Sequence, residues 1–175
     1  FPDNPALIFQ GYTLSFMEFN EMVARFAAAL KSFGIQKGDS VAILLPNMIP
    51  CAVAYYAILK IGGIVVLNNP LYSDRELEHQ FTDSDSKFLI TIDLLADRMV
   101  KLREKTHIRT IVYTSIGDYL PFVKRLLFPL VAKKKGLAAD VTPAKDLYKF
   151  KDIIAKYDPD YTQADVKMDD VAMYQ

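Results

Sequence analysis

Residues 41–67 read VAILLPNMIPCAVAYYAILKIGGIVVL, and the order of events in this stretch decides the fold. Val41 to Leu45 is a continuous apolar run, Pro46-Asn47 breaks it, a helix-length segment ends near Lys60, and Gly63 to Leu67 is a second continuous run. Runs without polar alternation mark strands buried on both faces. The unit recurs downstream. Ser73, with Glu76 three residues on, caps a helix expected over Asp74 to Asp83. Lys87 to Thr91 is the third run, Leu94 to Lys105 is helical in pattern, and Thr110 to Tyr113 is the fourth run. The runs start at 41, 63, 88 and 110, intervals of 22, 25 and 22 residues, enough for a strand, a loop and a helix of about three turns. Strands alternating with helices imply an α/β fold: an open, mostly parallel sheet with helices on both faces, joined by right-handed crossovers.

Toward the N-terminus, Ala6 to Phe9 and Tyr12 to Leu14 flank Gln10-Gly11 and predict a small hairpin. Ser15 and Glu18 have capping-box spacing for a following helix. Phe16, Phe19, Met22, Val23, Phe26, Leu30 and Phe33 recur at steps of three or four, forming a core-facing stripe on a helix that stops at Gly34.

Beyond Tyr113 the pattern changes. Asp118 to Gly136 reads DYLPFVKRLLFPLVAKKKG, with Lys124, Arg125, Lys133, Lys134 and Lys135 and no acid after Asp118. Residues 114–157 are expected to be a basic, hydrophobic insertion within one partial N-terminal α/β unit spanning 1–175. Pro121 and Pro129 are expected to restrict any helix there to short pieces. Apolar and cationic residues without acids can lie in a membrane interface, so 119–135 is a candidate for peripheral membrane contact. Asp158 to Asp170 carries five Asp against Lys167 and reads as a solvated connector; Asp169 to Gln175 then turns apolar, as a strand would. A strand begun there leaves an open edge, and self-association is expected.

The chain has 175 residues, 51% hydrophobic and 12% aromatic, which excludes a disordered polymer. Its 21 basic and 21 acidic residues cancel, so no global charge points to nucleic acid. Cys51 stands alone and fits a reducing cytoplasm. The chain opens at Phe1 with neither Met nor a signal-peptide pattern, and is expected to be an excised piece of a longer protein. Met48 to Leu67 is 20 residues long, yet Gly62-Gly63 and the polar Asn68-Asn69-Pro70 argue against a membrane span. A cytoplasmic location is expected, peripheral to the inner face of the membrane if the insertion docks.

No Gly-x-Gly-x-x-Gly and no Gly-x4-Gly-Lys-Ser/Thr occurs. Gly62-Gly63 lies between a helix and a strand, the wrong end of both for binding an anion, and reads as a helix stop. His79 and His107 have no metal-ligand spacing. Cys51 lies in an apolar run where a thiolate is disfavoured, and is expected to pack. Neither Ser84 nor Ser115 sits in a nucleophile elbow. The expected assignment is therefore no catalytic, no cofactor-binding and no metal residue in this chain.

Several stretches together resemble the beginning of adenylate-forming enzymes, most closely bacterial long-chain fatty-acid–CoA ligases. Tyr12-Thr13-Leu14-Ser15-Phe16-Met17-Glu18-Phe19 is similar to the first core motif, Leu-Thr/Ser-Tyr-x-Glu-Leu. Gly34 to Ile43 matches the loop and strand that follow it. Ala57-Ile58-Leu59-Lys60-Ile61-Gly62-Gly63-Ile64-Val65-Val66-Leu67-Asn68-Asn69-Pro70 resembles the second, Leu-Lys-Ala-Gly-x-Ala-x-Val-Pro-x, with Ile61 for Ala and Val66 near the usual proline. Glu76 to Gln80 is also familiar, and the insertion from Asp118 selects the long-chain subfamily. The resemblance spans nearly the whole chain; its specificity comes from the order and spacing of the motifs.

The resemblance implies that ATP and a fatty acid form an acyl-adenylate and pyrophosphate, and that the CoA thiol then displaces AMP. The implied substrates and cofactors, ATP, Mg²⁺, CoA and fatty acid, belong to the longer protein; none is expected to be held by this chain alone. Asp170-Val171-Ala172-Met173-Tyr174-Gln175 matches only the lead-in to the family's phosphate-binding loop, so the isolated chain is expected to be inactive. Two alternatives remain open at this point: another adenylate-forming enzyme acting on aryl or amino acids, and a non-enzymatic membrane-docking α/β module.

Overall fold

The computed structural model describes residues 1–132 and 134–174, without the side chain of Val131. Lys133 of the basic run and Gln175 of the last apolar stretch lie outside the described residues.

Strands β1 (Pro5–Phe9) and β2 (Tyr12–Ser15) pair antiparallel as the expected hairpin. Helix α1 (Phe16–Ser32) begins at a complete capping box: the Glu18 N–H donates to Ser15 Oγ at 3.2 Å, and the Ser15 N–H donates to Glu18 Oε2 at 2.8 Å. Val23, Phe26 and Leu30 of the stripe are buried, but Phe16, at 55% exposure, is not. It is the first residue of the helix. Ala24, Ala27 and Ala29 are fully buried and let α1 lie close to its neighbours.

The remaining elements alternate. In order they are β3 (Ser40–Leu44), α2 (Ile49–Lys60), β4 (Ile64–Leu67), α3 (Asp74–Asp83), β5 (Phe88–Ile92), α4 (Asp93–Leu102), β6 (Thr110–Thr114), α5 (Phe122–Ala132), β7 (Leu147–Lys149), α6 (Phe150–Lys156) and β8 (Met173–Tyr174). The six strands β7-β6-β5-β3-β4-β8 form one sheet whose neighbours are all parallel. Its two faces follow from strand alternation. Val41, Ile43, Val65, Phe88, Ile90 and Val112 join one core under α1, α2 and α6. Ala42, Leu44, Leu89 and Ile111 join the other with Leu77 and Phe81 of α3 and Met99 and Leu102 of α4. Phe26 anchors the larger core, its ring 4.8 Å from that of Phe150 and 6.5 Å from that of Phe88. Gly62, at φ +73°, makes the turn between α2 and β4.

Within 114–157, β7 extends the sheet and α6 buries Phe150 and Ile153, whereas α5 stands outside the layers. The restriction expected from proline does not hold in this segment: α5 runs eleven residues with Pro129 inside it. The helix survives the missing donor because Phe128 and the fully buried Ala132 anchor it on either side of the proline. The acidic connector is exposed yet tied down. Lys31 Nζ meets Asp160 Oδ2 at 2.7 Å, and Lys37 Nζ meets Asp170 Oδ2 at 2.6 Å. The Asp160 N–H donates to the Ala24 carbonyl, and the Ala164 N–H to that of Lys60.

Candidate functional site

From β3 the chain steps to β4 on one side, then returns to place β5 on the other, so the connections leaving β3 and β5 diverge. In open parallel sheets a crevice forms at this switch point, outside the carboxyl ends of the strands. A cleft of about 620 Å³ lies at that end, lined by Phe9 and Gln10 of the hairpin, Pro46 and Met48 after β3, Leu120, and Leu127 of α5. Lys124 Nζ donates to the Gln10 carbonyl at 2.8 Å and clips α5 to the hairpin. The lining suits an apolar chain. Across the hairpin a second, shallower groove of about 410 Å³ is lined by Ile8, Cys51, Tyr55 and Leu67. Burial pushes the Cys51 thiol up and disfavours its thiolate.

A row of polar groups crosses the carboxyl ends of β5, β6 and β7. Asp93, only 5% exposed, opens α4 and receives the Leu94 N–H at 2.8 Å. Burial raises its carboxyl, against the opposing hydrogen bond from the Ser115 hydroxyl. The Ser115 N–H donates to Asp118 Oδ2 at 3.2 Å, and Lys149 Nζ lies 3.7 Å from Asp118 Oδ1. Two more buried polar atoms stand at the same end. Asn68 Oδ1 after β4 and Thr114 Oγ1 at the end of β6 have no hydrogen-bond partner among the described residues. Buried polar atoms are rarely left so.

Sequence reasoning missed Asp93. Its one signal was a lone acid closing the apolar run FLITI. The other residues weighed from sequence are scattered. His79 is exposed on α3, and His107 Nδ1 lies 2.6 Å from Asp85 Oδ1 on the surface. Ser84 Oγ donates to the Gln80 carbonyl at 2.7 Å and lies 2.7 Å from Ser86 Oγ. Among the described residues no three His, Cys, Asp or Glu side chains converge as a metal would need. Nor is any helix there long and apolar enough to cross a membrane.

A fold by itself names no activity, and the family follows from the sequence as a whole. The model of the AMP-binding enzyme family matches residues 1–175, and the chain belongs to that family. Among relatives, a long-chain-fatty-acid–CoA ligase of Bacillus subtilis (strain 168) is 43% identical over 135 residues, 77% of this chain and 24% of the relative. One from Salmonella typhimurium is 33% identical over 177 aligned positions, covering 100% of this chain and 32% of the relative. The chain thus spans about a quarter to a third of the length of these curated relatives. Two solved structures share the fold. An anthranilate CoA ligase in complex with anthranoyl-AMP superposes with TM-score 0.79 at 18% identity, over 98% of this chain and 29% of that one. A long-chain-fatty-acid-CoA ligase from Archaeoglobus fulgidus gives TM-score 0.69 at 21% identity, over 92% and 27%.

Proposed function

We propose that this chain is the N-terminal part of a long-chain fatty-acid–CoA ligase, which joins a fatty acid to CoA through an acyl-adenylate, with ATP and Mg²⁺ as co-substrate and cofactor. The observation that carries the reading is the 43% identity to such a ligase across most of the chain. The apolar cleft and the unpartnered Asn68 and Thr114 oxygens at the carboxyl edge support it, because they form one wall of a site and lack its reactive groups. Residues 114–157 are the inserted segment of this N-terminal unit. The lone Cys51 favours a cytoplasmic protein.

By itself the chain is expected not to adenylate, since its sequence carries neither of the usual phosphate-cradling glycine motifs. ATP–pyrophosphate exchange tests both statements. A longer protein carrying this chain exchanges with palmitate, and the 175-residue chain does not. Exchange with aryl acids but not with palmitate would overturn the substrate reading. Exchange by the chain alone would overturn its inactivity.

A further inference from the structure

Between α5 and β7 runs a segment, residues 137–144, in which no residue is buried. Its ends are pinned through the backbone: the Leu137 N–H donates to the Ala132 carbonyl and the Ile111 N–H to that of Asp146, each at 2.9 Å. At those ends stand two residues in the left-handed region, Gly136 at φ +64° and Asp146 at φ +54°. Hinges form at such element-terminal positions. Within the segment, side chains of one helix hold the backbone. Asp93 and Asp97, one turn apart, share a face of α4. Asp97 takes the Thr142 N–H at 2.9 Å and the Thr142 hydroxyl at 2.7 Å. Asp93 takes the Ala139 N–H. Asp140, between them, has a partner as well. A stretch so exposed, tied by a few hydrogen bonds, belongs to the low-stability end of a fold.

The segment is also a wall shared by three hollows. Leu137 lines the apolar cleft, Ala139 and Val141 line a polar cavity of about 530 Å³ that reaches Asp93, and Val141 and Pro143 line a groove of about 520 Å³ beside β7. Lifting the segment joins them. The two carboxylates act on it in opposite senses. The Thr142 hydroxyl and N–H lower the Asp97 carboxyl, so the closed segment favours the charge on Asp97. Burial raises that of Asp93, which is only 5% exposed, and the Asp118 charge adds to it against the bonds from Ser115, Leu94 and Ala139. An ionised Asp93 therefore gains when water reaches it. The other charged groups lining the cavity are Asp118, Arg125 of α5, Asp140, Lys149 of β7 and Lys151 of α6. We propose that residues 137–144 are a flap over the polar cavity, hinged at Gly136 and Asp146, clasped shut by Asp97 and sprung by the buried charge on Asp93. The flap stands on this geometry and is independent of the ligase reading.

Hydrogen–deuterium exchange at the Ala139 and Thr142 amides, expressed as protection relative to the unfolded chain, tests it. Asp97→Ala lowers protection at both amides on the order of tenfold, the effect of losing two hydrogen bonds, and leaves β6 protected as before. In the wild type, protection falls as pH rises from the ordinary carboxylate value of about 3.9 through the raised value of Asp93, because the closed flap holds that proton more tightly than the open one. Asp93→Asn raises protection at neutral pH and flattens the profile. Unchanged exchange in Asp97→Ala overturns the proposal, since packing then holds the segment. So does a wild-type profile that is flat or rises with pH, a result that does not depend on whether Asp93→Asn folds. Exchange at Ala139 and Thr142 that follows β6 under every condition also overturns it, because the segment then opens only with the whole protein.

Discussion

The Phe128 ring of α5 lies against the backbone of Gly117: a Cβ on that glycine would come within 2.6 Å of Phe128 Cδ1 and 2.9 Å of Cε1. A stiff aromatic ring seated on a glycine is therefore one of the contacts that hold α5 to the body, with the buried Ala132 and the Lys124 clip. Gly117→Ala pushes the ring out and lifts the helix. Overpacking of this kind costs about 1–3 kcal/mol. The expected readout is faster amide exchange across 122–132, with the six-stranded sheet still protected. Unchanged exchange in α5 would show that the ring is not its anchor.

Asp39 ties the amino ends of two neighbouring strands. It takes the Gln36 N–H at 2.8 Å and meets Lys87 Nζ, just before β5, at 2.7 Å. Burial pushes its carboxyl up, but the hydrogen bonds from Lys87 and Gln36, with the Lys87 and Arg109 charges, hold it below the ordinary value. A carboxyl lowered by folding contributes stability above its unfolded pKa of about 3.9, and that stability is lost as pH falls through the folded value. With Lys87 over a third exposed, solvent screening limits the contribution to about 1 kcal/mol. Asp39→Asn should lower the urea midpoint at pH 7, and the difference should shrink as pH falls below the unfolded pKa of about 3.9. A constant difference across that range would contradict the linkage.

The acidic strap from Asp158 to Asp170 is held by Lys31 and Lys37. The hydrogen bond from Lys31 and donors from Thr162 hold the Asp160 carboxyl well below the usual carboxylate range, and Lys37 first among others lowers that of Asp170. Both therefore lose their charge at lower pH than a free carboxylate does, which delays release of the strap in acid. Lys31→Gln with Lys37→Gln should raise the rate of chymotryptic cleavage at the exposed Tyr161 severalfold at neutral pH, while high salt does the same to wild type. A cleavage rate indifferent to both changes would show that the backbone bonds to α1 and α2 suffice.

Strand β8 pairs with β4 on one side only, through Val65↔Met173 and Val66↔Tyr174. Among the described residues nothing pairs with its other side. Open parallel edges recruit other chains, and concentration-dependent light scattering is the expected outcome. A Met173→Pro variant, which removes the donor of β8 that points away from β4, should reduce it. Strict monomer behaviour at high concentration would refute the expectation.

Much of the fold was legible because it is written locally. Ser15 with Glu18 and Ser73 with Glu76 announce helices by a contact three residues long, and the apolar runs announce strands because both of their faces are covered. Helix α5 was less legible. Pro129 argued against a continuous helix, and the ring of Phe128 on Gly117, eleven positions apart, overrides it. The candidate site was hardly legible at all: Asp93 closes a run that looks like any other, and only the arrival of Ser115 and the strands around it makes it a buried acid.

Strands β1 to β6 and helices α1 to α4, the two-faced burial of the sheet and the family itself follow from the amino-acid sequence, since periodicity, caps and motif order are short-range properties of the chain. The order β7-β6-β5-β3-β4-β8, the cleft at its switch point, the ion-paired strap and the outward turn of α5 come only from tertiary structure. Each depends on which residues far apart in the chain meet, and that is set by the packing of whole layers.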